Sequence, residues 1–277
     1  MSDEPVVRDE GRVLIGAGYL DILTANGLDT LDAVMSRLAD PGGSGQVIRR
    51  RRERQNVRIA LPDGGGDTLM VFAKRHNPPG WVEQAWRLLT GRGAASFGRR
   101  EWDAVQRLRE AGLPTPDRVA AGDRRLGPVG RESFFMSAEL TGYRQSDHML
   151  PEMEPADRAP LIDAIVRLAR RFHDAGFNHR DLYLCHFFVR ETDAGRYDLA
   201  LIDLQRVERR CCCRRRWLVK DLAQLLYSGR AFLTDAERDR IARVYFGIEA
   251  LSPAQRRFMA AVRRKVARIA RHDRRRT

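Results

Sequence analysis

A His-Arg-Asp triplet constrains this chain more than any other feature. It occupies residues 179 to 181 within FNHRDLYLCHFFV, between an amphipathic helix pattern and a short apolar run. One face of that helix pattern carries Leu161, Ile165, Leu168, Ala169 and Phe172. A second acid, Asp203, follows inside LALIDLQR, where apolar residues lead into an acid at the end of a predicted strand. The spacing predicts that the carboxylates of Asp181 and Asp203 meet in one cleft.

The region from 44 to 140 has the alternation and turn signals of an antiparallel sheet. Its predicted strands are QVIRR, QNVRIAL, TLMVFAKR, LPTPDRVAAGD and ESFFMSAEL, about five in all, with one helix in FGRREWDAVQRLREAG. Residues 1–43 predict a helical extension, in which two short helices are split at Gly27 and the second is capped by Asp29 or Thr30. Residues 141–277 are mainly helical. The fold class is therefore α+β.

A lysine at a strand end provides a candidate cation for the same site. Lys74 closes the third predicted strand, and Glu101 falls in what the pattern predicts to be the first turn of the following helix. An ion pair between them would hold the ammonium group toward a nucleotide's phosphates. The competing interpretations are an ordinary surface lysine and a simple helix-terminal acid.

Glu139 and Leu140 follow the apolar strand SFFMSA, where an adenine would take main-chain hydrogen bonds at a junction between two lobes.

The hairpin upstream is less informative. Its turn reads RRER at 51–54 and contains no complete G-x-G-x-x-G, and Glu53 stands near a position where a glycine is expected. Either arginine forks take over part of the phosphate binding or this is a solvated basic turn; both interpretations stay open.

These residue types are the parts that phosphoryl transfer from ATP requires. A cation neutralises phosphate charge, a hard oxygen ligand holds Mg²⁺, and a base orients the acceptor hydroxyl. Lys74, Asp203 and Asp181 fit these roles in that order. Arg180 is expected to anchor the loop rather than to contact substrate.

The chain resembles the WaaP family of lipopolysaccharide core heptose kinases, which are similar to eukaryotic-type protein kinases. The resemblance rests on His179-Arg180-Asp181 followed by Cys185-His186-Phe187, and on further segments in the family's order. Those segments, between about residues 19 and 247, are VFAKRH, the following GW, RREW, LPTP and VKDLAQLLYS. The resemblance implies a bilobal, protein-kinase-like fold, with an N-lobe sheet carrying one helix and a mainly helical C-lobe.

Carried over to this sequence, the resemblance makes Lys74 the nucleotide lysine, Glu101 its helix partner, Asp181 the catalytic base and Asp203 the metal ligand. Asp221 matches the acid that braces the catalytic loop from below, although an N-cap for the helix LAQLLYS is an equal alternative. His186 stands where protein kinases have a metal-binding Asn. It is interpreted as a donor to phosphate or Asp203, or as a buried organiser of the loop, in preference to a second metal ligand.

The charge balance points to an anionic partner, because the chain has 50 Lys and Arg against 37 Asp and Glu, a net charge of +13. The resemblance implies ATP and Mg²⁺ as cofactors and a lipid-linked lipopolysaccharide core oligosaccharide as acceptor. It also implies a cytoplasmic location, peripheral at the anionic inner-membrane face. The basic tail RRKVARIARHDRRRT, with an apolar stripe at Val262, Val266 and Ile269, is a candidate contact for that lipid or for an acidic carrier protein such as acyl carrier protein, or else a solvated helix.

Other classes receive less support. No aromatic platform accompanies the arginines, so nucleic acid is not an expected partner. Three adjacent cysteines at 211–213 and Cys185 have no zinc-type or loop-closing spacing, which favours a reducing compartment. The acidic start and the absence of a long apolar run argue against a signal peptide or membrane span. The alternatives to a heptose kinase are a Kdo kinase, a protein kinase and a non-catalytic pseudokinase.

Overall fold

The computed structural model describes residues 4–51, 54–78, 96–127, 130–192, 195–209 and 214–274. The rest of the RRER turn (Arg52 and Glu53), Gly80 and Trp81, and the cysteine triplet at 211–213 lie outside the described residues. The chain divides into two compact units. The first comprises Met1–Arg107 and Pro116–Glu139, and the second comprises Leu108–Thr115 and Leu140–Thr277.

A seven-stranded antiparallel sheet forms the first unit, in the order β1-β2-β6-β7-β5-β4-β3. Its strands are β1 (Val6–Arg8), β2 (Val13–Ile15), β3 (Gly45–Arg51), β4 (Arg54–Pro62), β5 (Thr68–His76), β6 (Arg118–Leu126) and β7 (Gly130–Ala138). The sequence predicts about five of these strands. The two additional ones, β1 and β2, lie within the region predicted to be a helical extension. They are three residues each, too short to show an alternation pattern.

Two helices cover one face of this sheet, α1 (Leu20–Ala25) and α2 (Leu31–Ala39). The predicted split at Gly27 is correct, and Thr30 caps α2 by accepting a hydrogen bond from the Ala33 amide. Their apolar side chains join those of β2, β4, β5, β6 and β7 in one core cluster. The first unit therefore has its own hydrophobic core.

The third helix, α3 (Phe97–Glu110), carries the buried side chains of Trp102 and Leu108. A Cβ on Gly98 would lie 2.1 Å from the Phe134 carbonyl oxygen, so only glycine allows the helix to approach β7 this closely. Because α3 begins at Phe97, Glu101 lies beyond the first turn, which contains no acid. The prediction of a first-turn position for Glu101 was therefore wrong by one residue.

The second unit is mainly helical. Its helices are α4 (Ser146–Glu152), α5 (Pro155–Asp174), α6 (Arg214–Ser228), α7 (Asp235–Phe246) and α8 (Pro253–Asp273). Short strands form two small sheets, β11-β10-β8 and β12-β9. The strands are β8 (Arg144–Gln145), β9 (Phe177–Asn178), β10 (Phe187–Glu191), β11 (Tyr197–Leu201) and β12 (Glu208–Arg209). All five residues predicted to face inward on α5 are buried.

The C-terminal helix α8 packs against α6. Val262 is fully buried, Val266 and Ile269 are half-buried, and the Tyr227 hydroxyl on α6 donates to the Asp273 carboxylate. Val262 of the apolar stripe therefore belongs to the protein core, and a contact of this helix with lipid or a carrier protein stays a prediction. Within the described ranges, no helix has both the length and the apolar character needed to cross a bilayer.

Candidate active site

The His-Arg-Asp loop is fixed to the second unit by Asp221 of α6. The Asp221 carboxylate accepts hydrogen bonds from the main-chain amides of His179 and Arg180, both at 2.8 Å, and its side chain is fully buried. Because α6 begins at Arg214, Asp221 lies inside the helix. The alternative that Asp221 caps this helix is therefore wrong.

A buried network supports Asp221 from behind. His173 Nε2 lies 3.3 Å from Asp221 Oδ2, and His173 Nδ1 lies 2.9 Å from the Tyr245 hydroxyl oxygen. Burial on its own would raise the pKa of Asp221, but hydrogen bonds and nearby imidazoles outweigh it and the net pKa is lowered. The Asp221 carboxylate is therefore negatively charged at neutral pH. Its hydrogen bonds go to the main chain of the loop and to His173.

Arg180 adopts a left-handed backbone conformation, with φ of 70°, which residues other than glycine seldom take. Its Nη1 donates to Glu208 Oε1 at 2.6 Å, and its guanidinium lies 5.2 Å from the Trp217 ring centroid. The charge of Arg180 is thus matched within the loop's own surroundings.

The Asp181 side chain is 24% exposed and has two side-chain neighbours that donate to it. Arg206 Nη1 donates to Oδ2 at 2.7 Å, and Gln224 Nε2 lies 3.5 Å from Oδ1. Lys220 is close as well, since its ammonium donates to the Arg180 carbonyl oxygen. Burial lowers the pKa of Lys220, and the charge of Asp181 acts against that shift.

His186 connects Asp181 to Asp203. Its Nδ1 lies 2.6 Å from the Asp181 carbonyl oxygen, so Nδ1 carries the proton and Nε2 faces Asp203 Oδ2 at 3.7 Å. Asp203 has a φ of 59° at the start of the helical turn Leu204–Arg206, a backbone conformation that non-glycine residues seldom adopt. His186 thus contacts the Asp181 main chain on one side and the Asp203 carboxylate on the other. That the carboxylates of Asp181 and Asp203 meet in one cleft stays a prediction.

His179 stacks on His186 with ring centroids 5.5 Å apart and 15° between the ring planes. Its Nε2 lies 3.1 Å from the Ile202 carbonyl oxygen, which joins the loop to the segment before Asp203. Complete burial, with the neighbouring His186 adding to it, lowers the pKa of His179 to about 4. His179 is consequently neutral near pH 7.

In the first unit, Lys74 and Glu101 form the predicted ion pair. Lys74 Nζ lies 2.5 Å from Glu101 Oε1, and the two side chains are 15% and 2% exposed. The lysine comes from β5 and the acid from α3. The sheet register places Lys74 between Asn56 of β4 and Phe135 of β7.

Glu139 is the last residue of the first unit, and both its main chain and its side chain form hydrogen bonds. Its amide donates to the Met70 carbonyl oxygen at 2.8 Å. Its carboxylate takes two hydrogen bonds from Arg58, at 2.8 and 3.1 Å. The Glu139 amide is therefore engaged with the sheet. In the second unit, the Leu140 carbonyl accepts from the Tyr143 amide at 3.1 Å.

Sequence reasoning missed several residues of this site, above all Arg206 and Gln224. A signal was present, since Gln224 follows Asp221 by three residues and Lys220 by four, so it lies beside each of them on the helix surface. Arg206 lies three residues after Asp203, but only the turn at Leu204–Arg206 directs it back to Asp181.

A family model described as the lipopolysaccharide kinase (Kdo/WaaP) family matches residues 87–245. The chain is also 35% identical over 231 residues to the lipopolysaccharide core heptose(I) kinase WaaP of Pseudomonas aeruginosa, covering 80% of this chain and 82% of the relative. The chain belongs to the lipopolysaccharide kinase (Kdo/WaaP) family. A second relative, the lipopolysaccharide core heptose(I) kinase WaaP of Escherichia coli K12, is 32% identical to this chain. The match covers 74% of this chain and 79% of the relative.

A solved structure of WaaP in complex with acyl carrier protein resembles this Kdo/WaaP family member along nearly its whole length. The TM-score is 0.66 at 27% identity, covering 96% of this chain and 98% of that one. The expectation of an α+β, kinase-like fold is confirmed. As a member of a kinase family, the chain is an ATP-dependent phosphotransferase.

Proposed function

We propose that this chain transfers the γ-phosphoryl group of ATP to a hydroxyl of an inner-core heptose during lipopolysaccharide biosynthesis. Two relatives that match along about three quarters or more of the chain are named heptose(I) kinases. The observation that carries the proposal is His186, whose Nδ1 contacts the Asp181 carbonyl oxygen and whose Nε2 lies beside the Asp203 carboxylate. The residue proposed as base and the acid proposed on the phosphate side therefore share one neighbour.

Asp181 is the catalytic base in this proposal. The acceptor oxygen forms a bond to the γ-phosphorus, the bond from that phosphorus to the departing ADP oxygen breaks, and the acceptor proton passes to the Asp181 carboxylate. The rigid attachment of the loop amides to Asp221 supports this role, because in-line transfer depends on positioning. Arg180 and Asp221 hold the loop without touching substrate.

Lys74, Glu101, Glu139 and Leu140 are the nucleotide contacts in this proposal. Lys74 neutralises phosphate charge, and Glu101 keeps its ammonium in place from a buried position. Glu139 and Leu140 contribute main-chain groups to the adenine. Arg58 holds the Glu139 carboxylate away from that contact through two hydrogen bonds.

Asp203 would hold Mg²⁺, which supplies positive charge to the phosphates when it is bound. Among the described residues, no group of three or more His, Cys, Asp or Glu side chains is arranged to hold a metal ion. Magnesium is typically held by one or two carboxylates together with phosphates and water, and Asp203 is the carboxylate proposed here. His186 orients the loop through the Asp181 carbonyl oxygen, and its second nitrogen lies beside the Asp203 carboxylate.

The exposed face of α8 is the contact for an acidic partner in this proposal. Arg263, Arg264, Arg268 and Arg271 are exposed, and Asp273 is the one acid in the helix. The resembling WaaP structure was solved with acyl carrier protein, which is the partner we assign to this face. The net charge of +13 supports peripheral attachment at the anionic cytoplasmic face of the inner membrane, where the lipid-linked core is assembled.

Transfer to a defined acceptor tests the function. The chain is incubated with labelled ATP, Mg²⁺ and a heptose-containing core oligosaccharide, and the product is located by mass spectrometry and phosphorus NMR. We expect phosphate on heptose, and none with Asp203→Ala. Phosphate on an acidic sugar or on protein would replace the heptose assignment by one of the other acceptors, and no transfer to any of them would indicate a pseudokinase.

Charge reversal tests the partner. Arg263→Glu with Arg264→Glu is expected to weaken binding of acyl carrier protein, whereas Arg230→Glu with Arg243→Glu changes charge equally elsewhere on exposed positions. Sedimentation with vesicles containing anionic lipid is measured in parallel. Equal binding of the carrier protein by both double variants would remove α8 as its docking face.

A further inference from the structure

Arg206 contacts the carboxylate that receives the acceptor hydroxyl in the proposed mechanism. Its Nη1 donates to Asp181 Oδ2 at 2.7 Å, and its side chain is 44% exposed. A guanidinium has five N–H donors in a planar fork. Within the described residues, Asp181 is the one acceptor found for them. The group therefore keeps most of its donors available at the surface while one of them contacts the base.

Two cations lie close to the Asp181 carboxylate, Arg206 and Lys220. The Lys220 ammonium donates to the Arg180 carbonyl oxygen and its side chain is half-buried, whereas Arg206 is exposed. Arg180 is paired with Glu208 at 2.6 Å, and the buried Asp221 carboxylate is occupied by two amides and His173. Arg206 is therefore the more exposed of the two cations beside Asp181, and the one placed to take a further anion.

We propose that Arg206 binds an anionic group of the acceptor, a carboxylate or a phosphate, beside the hydroxyl that is phosphorylated. This inference rests on the proposed function, in which Asp181 receives the acceptor hydroxyl. Any molecule whose hydroxyl reaches Asp181 brings the atoms next to that hydroxyl within reach of a guanidinium attached to the same carboxylate. Planar forks bind carboxylates and phosphates with paired, charge-assisted hydrogen bonds.

The consequence is selectivity for charged acceptors. A neutral sugar would satisfy Asp181 but leave the remaining donors of Arg206 to water, whereas an acidic neighbour uses them. Arg206 is thus a specificity-determining residue on the acceptor side of the reaction.

Arg190 provides a matched control. It pairs with one carboxylate, that of Asp198, at 2.8 Å, and its side chain is 47% exposed. Arg190 and Arg206 therefore have nearly the same exposure and the same type of contact in the same unit. They differ in that the carboxylate bound to Arg206 is Asp181, and in that the Arg190 guanidinium also lies 4.8 Å from the Tyr143 ring centroid.

The experiment compares three acceptors with the full chain: the intact core oligosaccharide, one with its carboxylates reduced to alcohols, and one with its phosphates removed. The wild-type chain is expected to show a KM at least about tenfold higher for one of the two modified acceptors, which identifies the anion. Arg206→Met is expected to raise the KM for the intact acceptor by about the same tenfold factor and to abolish the discrimination. The KM for ATP should stay unchanged.

Arg206→Lys should recover part of the effect, because an ammonium restores the charge but not the fork. Arg190→Met should behave as wild type. Equal KM values for all three acceptors with the wild-type chain overturn the inference while the heptose kinase function stands. The inference is also overturned if Arg206→Met still discriminates among the three acceptors, or if its KM for ATP rises while its KM for the acceptor does not. Failure of the proposed function is distinct, because the wild-type chain then phosphorylates none of the three. The wild-type series needs no variant, so misfolding of a variant cannot obscure the result.

Discussion

Two cation-carboxylate pairs of similar length occupy the two units and differ in burial. Lys74 and Glu101 are 2.5 Å apart, with the acid 2% exposed, whereas Arg206 and Asp181 are 2.7 Å apart and 44% and 24% exposed. In the first pair the buried acid fixes the cation. In the second pair the acid is the proposed catalytic base, and the more exposed cation is the one proposed to bind a ligand. The two pairs are thus expected to respond differently to removal of the acid.

Asp181→Asn should produce the largest loss of activity. Removing a general base lowers turnover by roughly 10²–10⁴-fold, while the amide keeps the shape of the side chain. Because the side chain is partly exposed, we expect the free energy of unfolding to change by less than about 1 kcal/mol. Steady-state kinetics and urea unfolding measure the two effects. Wild-type turnover in this variant would remove Asp181 from the mechanism.

Glu101→Gln should show the opposite balance. The amide weakens the tether of a lysine that stays charged, so we expect the catalytic efficiency with ATP to fall by about tenfold. Removing charge from a buried hydrogen-bonded acid costs about 1–3 kcal/mol of stability. Urea unfolding and titration of ATP provide the measurements. If Glu101→Gln leaves the free energy of unfolding unchanged and Asp181→Asn lowers it, the more buried acid does not contribute more to stability and our expectation is wrong.

The pH dependence of stability tests the buried residues His179 and Asp221, which hold the loop that carries Asp181. The pKa of His179 is about 4 in the folded protein against 6.5 ordinarily, so the unfolded chain binds more protons between these values. The contribution of His179 is complete above pH 6.5 and is lost as the pH falls toward 4, at about 1.4 kcal/mol per pH unit. The lowered pKa of Asp221 acts separately, below its ordinary value of 3.8.

His179→Gln should flatten the slope between pH 6.5 and 4, and His148→Gln, at an exposed position, should not. Unfolding by urea at each pH provides the comparison. An unchanged slope in His179→Gln would assign the acid sensitivity to other groups.

The sequence was most informative where spacing and periodicity are regular. The helix before the loop, the split at Gly27 and the pairing of Lys74 with Glu101 follow from apolar spacing and strand order. Periodicity over a window cannot detect strands of three residues, so β1 and β2 were missed.

The position of Arg206 was missed for a different reason. It depends on the left-handed backbone at Asp203, which sequence patterns do not predict for a residue other than glycine. Asp221 was ambiguous because the start of its helix lies beside the cysteine triplet, where composition gives no boundary. Local pattern therefore identified the acids of the site, and the tertiary structure was needed to identify their partners.

The smallest expected effect is that of Arg190→Met, and it sharpens the comparison most directly. Exposed ion pairs contribute about 0–1 kcal/mol, so both stability and turnover should stay close to wild type. Arg206→Met breaks a contact of the same type at nearly the same exposure. If the two variants behave alike in stability but differ in KM for the acceptor, the difference arises from the neighbouring base and not from the ion pair itself. Parallel losses in both would instead mean that either arginine stabilises the fold.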